Sequence, residues 1–137
     1  MRVEPYLCFE GRCEEAIEFY RRAVGAEVVN LVRFRDMPGT PPPGAIPPGA
    51  EDKIMHACLR VGDSTVMASD GRCDGKATFS GVNLSITMAD PAKADRVFAA
   101  LSDGGQVQMP LGETFWSPKF GMVIDRFGVF WMVNVAV

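Results

Sequence analysis

Residues Val82–Met109 read VNLSITMADPAKADRVFAALSDGGQVQM, and each boundary in this stretch is marked by its own chemistry. Val82–Met88 carries the β-branched and aliphatic residues of a strand. Asp90 then precedes Pro91, an N-cap followed by proline at the first helical position, where a missing N–H leaves no bond unmade. Ala94, Val97, Phe98 and Leu101 recur at the spacing of one helix face. Gly104-Gly105 supplies the stop, and Gln106–Met109 opens a further strand. The segment predicts strand, helix, strand.

Working outward, the first half of the chain has the same order. Val3–Phe9 reads as a strand, and Glu14–Val24 as a helix whose Ala16, Ile17, Tyr20, Ala23 and Val24 share one face. Glu14 and Glu15 at its start and Arg21 and Arg22 at its end suit the helix dipole, and Gly25 ends it. Ala26–Phe34 follows as a strand. Thus Tyr20…Gly25-Ala26-Glu27-Val28 is answered by Phe98…Gly104-Gly105-Gln106-Val107. Each half then closes with a hairpin. Ile54–Val61 and Thr65–Ser69 flank Gly62-Asp63-Ser64, while Gly121–Ile124 and Val129–Val135 flank Asp125-Arg126-Phe127-Gly128.

The expected plan is an α+β domain over 1–137 made of two βαβββ modules, about 1–70 and 80–137, joined by a polar connector at about 70–79. Separate halves would each expose an apolar sheet face. Two such sheets side by side would form a U-shaped core with a cleft.

One stretch interrupts the repeat. Pro38–Gly49, PGTPPPGAIPPG, holds six of the ten prolines and predicts a loop of polyproline II character between two strands. It reads either as a surface excursion or as a lid or arm over a cleft or partner subunit.

The composition excludes several classes of protein. With 137 residues, 47% apolar, the chain can bury a core and is not disordered. No long uncharged apolar run predicts a membrane span. A net charge of −3 argues against a nucleic-acid partner. A single histidine, His56, forbids a site built from several imidazoles.

Cys8, Cys13, Cys58 and Cys73 form no CxxC pair, and Met1-Arg2-Val3-Glu4-Pro5 lacks the apolar run of a secretion signal. Free thiols in the cytoplasm are expected, most of them acting as small buried hydrophobes. A zinc site from Cys8, Cys13, His56 and Cys58 is the less favoured alternative, because His-x-Cys on one strand is an unusual ligand spacing.

Six segments call up a family. They are Pro5-Tyr6-Leu7-Cys8-Phe9 leading to Ala16-Ile17-Glu18-Phe19-Tyr20, Ile54-Met55-His56-Ala57, Val66-Met67-Ala68-Ser69-Asp70, Glu113-Thr114-Phe115-Trp116, and Phe120-Gly121-Met122-Val123-Ile124-Asp125-Arg126-Phe127-Gly128-Val129-Phe130-Trp131. The chain resembles the vicinal oxygen chelate superfamily of glyoxalases, bleomycin-resistance proteins and extradiol dioxygenases. Within it, the resemblance is to the PhnB-type, 3-demethylubiquinone-9 3-methyltransferase-like branch. It implies a cupped mixed sheet, a small-molecule ligand and a homodimer.

Metal-dependent relatives hold a divalent ion with a His, Gln or Glu near the start of each module and a Glu from each module's last strand. Here the resemblance maps those places onto Pro5, Met67, Asn83 and Met132, each to within one residue. Proline has no side-chain donor, and thioethers suit soft ions. No metal is expected there, and no cofactor. The methyltransferase description implies a glycine-rich strand-to-helix turn, which this sequence lacks.

Alternation along Ile54–Val61 predicts Ile54, His56, Cys58 and Arg60 on one face, with Met55, Ala57, Leu59 and Val61 opposite. His56 reads either as an acid–base or ligand-binding residue, beside Cys58, or as a hydrogen-bonded structural histidine. Trp116 and Phe120 read as an aromatic wall for a ligand or as a staple for their loop. Met67, Met88, Met122 and Met132 would line an adaptable cavity if they face it. Phe127, Phe130 and Trp131 read as core, and Asp70 and Asp125 as turn caps.

The favoured function is binding of a small molecule, with His56, Cys58, Met67, Asn83, Trp116, Phe120 and Met132 as candidate contacts. The alternative is an enzyme, a lyase, isomerase or resistance-type transferase, with His56 as its acid–base residue. A third reading is a dimer-forming scaffold.

Overall fold

A computed structural model describes the chain from Met1 to Val137. It divides into two compact units, Met1–Ala77 and Thr78–Val137. Each holds one helix and one four-stranded mixed sheet, as the α+β βαβββ plan predicts.

In the first unit the elements are β1 (Tyr6–Cys8), α1 (Cys13–Ala23), β2 (Glu27–Arg33), β3 (Ile54–Val61) and β4 (Ser64–Ser69). The sheet order is β1-β4-β3-β2, with β1 parallel to β4 and the other pairs antiparallel. The stripe Ala16, Ile17, Tyr20 and Ala23 of α1 is buried, as are Leu7, Ala57, Leu59 and Ala68 of the sheet. The Tyr20 ring lies 6.1 Å from that of Phe9, at the end of β1.

The second unit contains β5 (Asn83–Met88), α2 (Pro91–Ser102), β6 (Gln106–Gly112), β7 (Phe120–Ile124) and β8 (Phe130–Val135), in the order β5-β8-β7-β6. The predicted cap is present: Ala92 N–H donates to Asp90 Oδ1 at 2.9 Å, with Pro91 in the first helical turn. Gly121 lets α2 approach the sheet. A Cβ there would stand 2.7 Å from Phe98 Cε2 and 3.0 Å from Leu111 Cα.

Several expectations need correction. The hairpin turn is Gly62-Asp63 alone, since Ser64 already pairs with Val61. β6 runs on through Pro110 to Gly112, which an edge strand tolerates because proline's missing donor faces no neighbour. Ile54 is buried and does not share an open face with His56, because the β2–β3 register shifts between Val32 and Arg33. The thiols are mostly not buried: Cys13 is, Cys58 and Cys73 are half-buried, and Cys8 is exposed.

The proline stretch contains neither helix nor strand. Its neck is closed by Phe34 N–H to Lys53 O and Arg35 N–H to Glu51 O, both 3.0 Å, with Ala50 buried beneath it. No helix is long and apolar enough to cross a membrane.

Candidate functional site

Strand register decides which candidates share a face. In the first unit, Tyr6 and Cys58 are both partners of Met67, so the three side chains form one row across β1, β4 and β3 on the face opposite Leu7, Ala57, Leu59 and Ala68. His56 lies two residues before Cys58 on the same face. Its Nδ1 is 3.0 Å from Tyr6 Oη, with the rings 5.6 Å apart. The tautomer of the ring sets which of the two atoms donates, and a phenol donating to Nδ1 leaves Nε2 as the N–H that points away from this bond. Tyr6 was missing from the candidates, although alternation with Leu7 could have found it. Cys8 is on this face too, its Sγ 4.0 Å from Ser69 Oγ.

The zinc alternative is not assembled. Cys13 lies buried at the start of α1, its thiol pushed up mainly by desolvation and then by the Asp70 carboxylate. No group of three or more His, Cys, Asp or Glu side chains lies close enough together to hold a metal ion.

In the second unit the face opposite α2 carries Asn83, Ser85 and Thr87 from β5, Phe130, Met132 and Asn134 from β8, and Phe120, Met122 and Ile124 from β7. Ser85, Met132, Met122 and Met109 are successive cross-strand partners, so three methionines form one row. The neighbouring row is Thr87, Asn134 and Phe120. Trp116 is 45% exposed and meets Phe120 edge-on at 5.1 Å, with Phe115 on its other side at 4.6 Å. It is a partly open aromatic that packs on the sheet through Phe120. Its loop is also fastened by Ser117, whose Oγ lies 2.8 Å from Val135 O and 2.7 Å from Lys119 O, both acceptors.

Two aspartates frame these faces. Asp70 is more than a turn cap. Its Oδ1 accepts from the N–H groups of Gly11 and Cys13, at 2.9 and 2.8 Å, and its Oδ2 from Ile54 N–H at 2.8 Å. Arg12 makes no side-chain cap for α1, so Asp70 caps the helix from the far end of β4. Asp125 accepts from Phe127 and Val129 N–H and from Trp131 Nε1–H, which makes it structural as well as a turn residue.

The mapped metal places do not fit a hard cation. Pro5 lies just before β1, and its carbonyl accepts from Met67 N–H at 3.0 Å. Tyr6, not Pro5, is the side chain beside Met67, because neighbouring residues of a strand point to opposite faces. Ser85 stands directly beside Met132, with Asn83 one row away on the same strand. The donors are thus a phenol, a hydroxyl, an amide and two thioethers. Carboxylate and imidazole, the ligands that divalent ions of this kind require, are absent from those places.

A family model described as 3-demethylubiquinone-9 3-methyltransferase matches residues 1–134. Protein YjdN of Escherichia coli K12 is 39% identical over 140 residues, covering 98% of this chain and 95% of that protein. Protein PA1353 from Pseudomonas aeruginosa is 42% identical with a TM-score of 0.84, covering 99% of this chain and 98% of that one. A PhnB protein from Bacillus cereus, described as a putative 3-demethylubiquinone-9 3-methyltransferase, is 30% identical with a TM-score of 0.80, covering 99% and 100%. The fosfomycin resistance protein FosX from Listeria monocytogenes shares the fold at 7% identity, with a TM-score of 0.66. This chain belongs to the PhnB-like, 3-demethylubiquinone-9 3-methyltransferase-like family.

Proposed function

We propose that the protein binds a small organic molecule on a helix-free sheet face, and that it does so without the superfamily's usual metal. The observation that carries this reading is the side-chain set at the mapped ligand places. Tyr6, Met67, Ser85 or Asn83, and Met132 offer soft or neutral donors where a divalent ion needs carboxylates and imidazoles. In the first unit Cys58 stands beside Met67; in the second, Met122 stands beside Met132, with Phe120 one row away and the partly exposed Trp116 against it, each a surface suited to apolar and aromatic ligands. The methyltransferase description finds no support in these residues, since no strand runs through a glycine-rich turn into a helix.

Elemental analysis of the purified protein, paired with thermal-shift screening in the presence and absence of EDTA, tests the proposal. The expected result is no stoichiometric divalent metal and ligand responses that chelation leaves unchanged. One equivalent of bound Zn, Mn, Ni or Fe, with responses abolished by EDTA, would overturn it.

The Tyr6–His56 hydrogen bond favours one second reading, an enzyme in which His56 moves a proton at Nε2. Loss of ligand binding or turnover in His56→Gln, with stability unchanged, supports a functional His56. Lost stability with unchanged ligand binding would make it structural. We further propose a homodimer in a reducing compartment such as the cytoplasm. Exposed Val28 and Val29 on edge strand β2, and Val107 and Met109 on edge strand β6, offer apolar surface to a second copy. A 14.9 kDa particle in light scattering would refute the dimer.

A further inference from the structure

Asn134 Oδ1 is a buried side-chain acceptor with no hydrogen-bond partner. Such an atom is costly, because a buried acceptor stripped of water forfeits its desolvation free energy unless something donates to it. Its surroundings say what could. Asn134 sits in the row between Thr87 and Phe120, with Trp116 edge-on against Phe120 and the Met122–Met132 pair in the next row. No charged side chain stands among the residues of β5, β7 and β8 on that face, which are Asn83, Ser85, Thr87, Phe120, Met122, Ile124, Phe130, Met132 and Asn134. A charged ligand would find no counter-charge there. The Asn134 side chain as a whole keeps partial exposure, and the adjoining Trp116 is 45% exposed on a short loop.

We infer that this face recognises a neutral aromatic molecule bearing an N–H or O–H group. The donor would bond to Asn134 Oδ1 while the ring lies on Trp116, Phe120 and the methionine row. This rests on the proposed binding role and adds the ligand class and the residue that reads it. Asn134 would act as a specificity residue, with the ligand's donor meeting its acceptor.

Indole and benzofuran test the inference, being bicyclic rings of one shape that differ in a single donor. Each is titrated into the full chain carrying 13C-methyl methionine, and the Met122 and Met132 methyl resonances are followed. The expected result is saturable shifts with indole at least about fivefold tighter, the ratio that one net hydrogen bond gives. Asn134→Leu should bind both probes equally, while Asn134→Asp, which keeps an acceptor, should retain the preference. Equal affinities in the wild type, or a preference that survives Asn134→Leu, overturn the role of Asn134 while leaving the face a binding surface. An absence of shifts with both probes at millimolar concentration overturns the binding role of the face as well. The wild-type comparison stands even if a variant fails to fold.

Discussion

Replacing Asp70 should unfasten the first unit, and the size of the effect follows from its hydrogen bonds. The carboxylate is 1% exposed and takes N–H donors from Gly11, Cys13 and Ile54. Asp70→Ala leaves these donors without an acceptor. Gly11 is half-buried and recovers a water, but Cys13 and Ile54 are fully buried. Each such N–H costs about 1–3 kcal/mol, so the two together cost roughly 2–6 kcal/mol. Removing a desolvated carboxylate returns part of this, which brings the expected loss to about 2–4 kcal/mol. Asp70→Asn keeps one oxygen for the Gly11 and Cys13 pair but turns an NH2 group toward Ile54 N–H, and should cost about 1–3 kcal/mol. Urea denaturation followed by circular dichroism measures both values, with the midpoint moving at constant slope. Amide exchange at Cys13 and Ile54 should accelerate in parallel. A loss below 1 kcal/mol for Asp70→Ala would refute the view that this carboxylate holds the helix start to the sheet.

Gly121→Ala forces a methyl into Phe98 and the Leu111 backbone, and should cost about 1–3 kcal/mol in thermal or urea unfolding. Tyr6→Phe removes the hydrogen-bond partner of His56 Nδ1, so the 15N imidazole resonances should shift while the fold stays intact. Thiol labelling should modify exposed Cys8 first and Cys13 last, because burial both shields the Cys13 thiol and holds it protonated. Glu14 receives two hydrogen bonds from Arg33, at 2.7 and 3.1 Å, which lower its pKa below the ordinary glutamate value. A lowered folded-state pKa gives stability that is present above the unfolded value and lost as pH falls through the folded one. Since Glu14 is 63% exposed, Glu14→Gln should lose no more than about 1 kcal/mol at pH 7, and nothing at a pH below the folded-state value.

The helices and strands were legible because periodicity and local punctuation agree. Asp90-Pro91 opens α2, Gly62-Asp63 turns the β3–β4 hairpin, and Asp125-Arg126-Phe127-Gly128 turns the β7–β8 hairpin, whereas Phe130, read as core with Trp131, is half-buried on the opposite face of β8. What was not legible depends on partners far apart in the chain. Asp70 looks like a turn residue until Cys13, 57 positions earlier, is brought to it. Tyr6 meets His56 across 50 positions. That Tyr6, one residue from the mapped Pro5, stands beside Met67 is equally long-range. Parallel pairing offers no short turn to fix register, and a slip of one residue exchanges the faces of a strand. Asn134 carries no local signal for its unmet acceptor, although two-residue spacing from Met132 would have put both on one face.

The closed neck of the proline stretch has a consequence for how the chain can change. Because Phe34–Lys53 and Arg35–Glu51 are joined before the loop departs, the residues between them can lengthen or shorten without moving the β2–β3 register. Doubling the loop costs only about 0.6 kcal/mol in closure entropy. The segment is thus a site where related chains can acquire insertions, and where an affinity tag or a fluorophore can be spliced in, with the sheet unaware of the change.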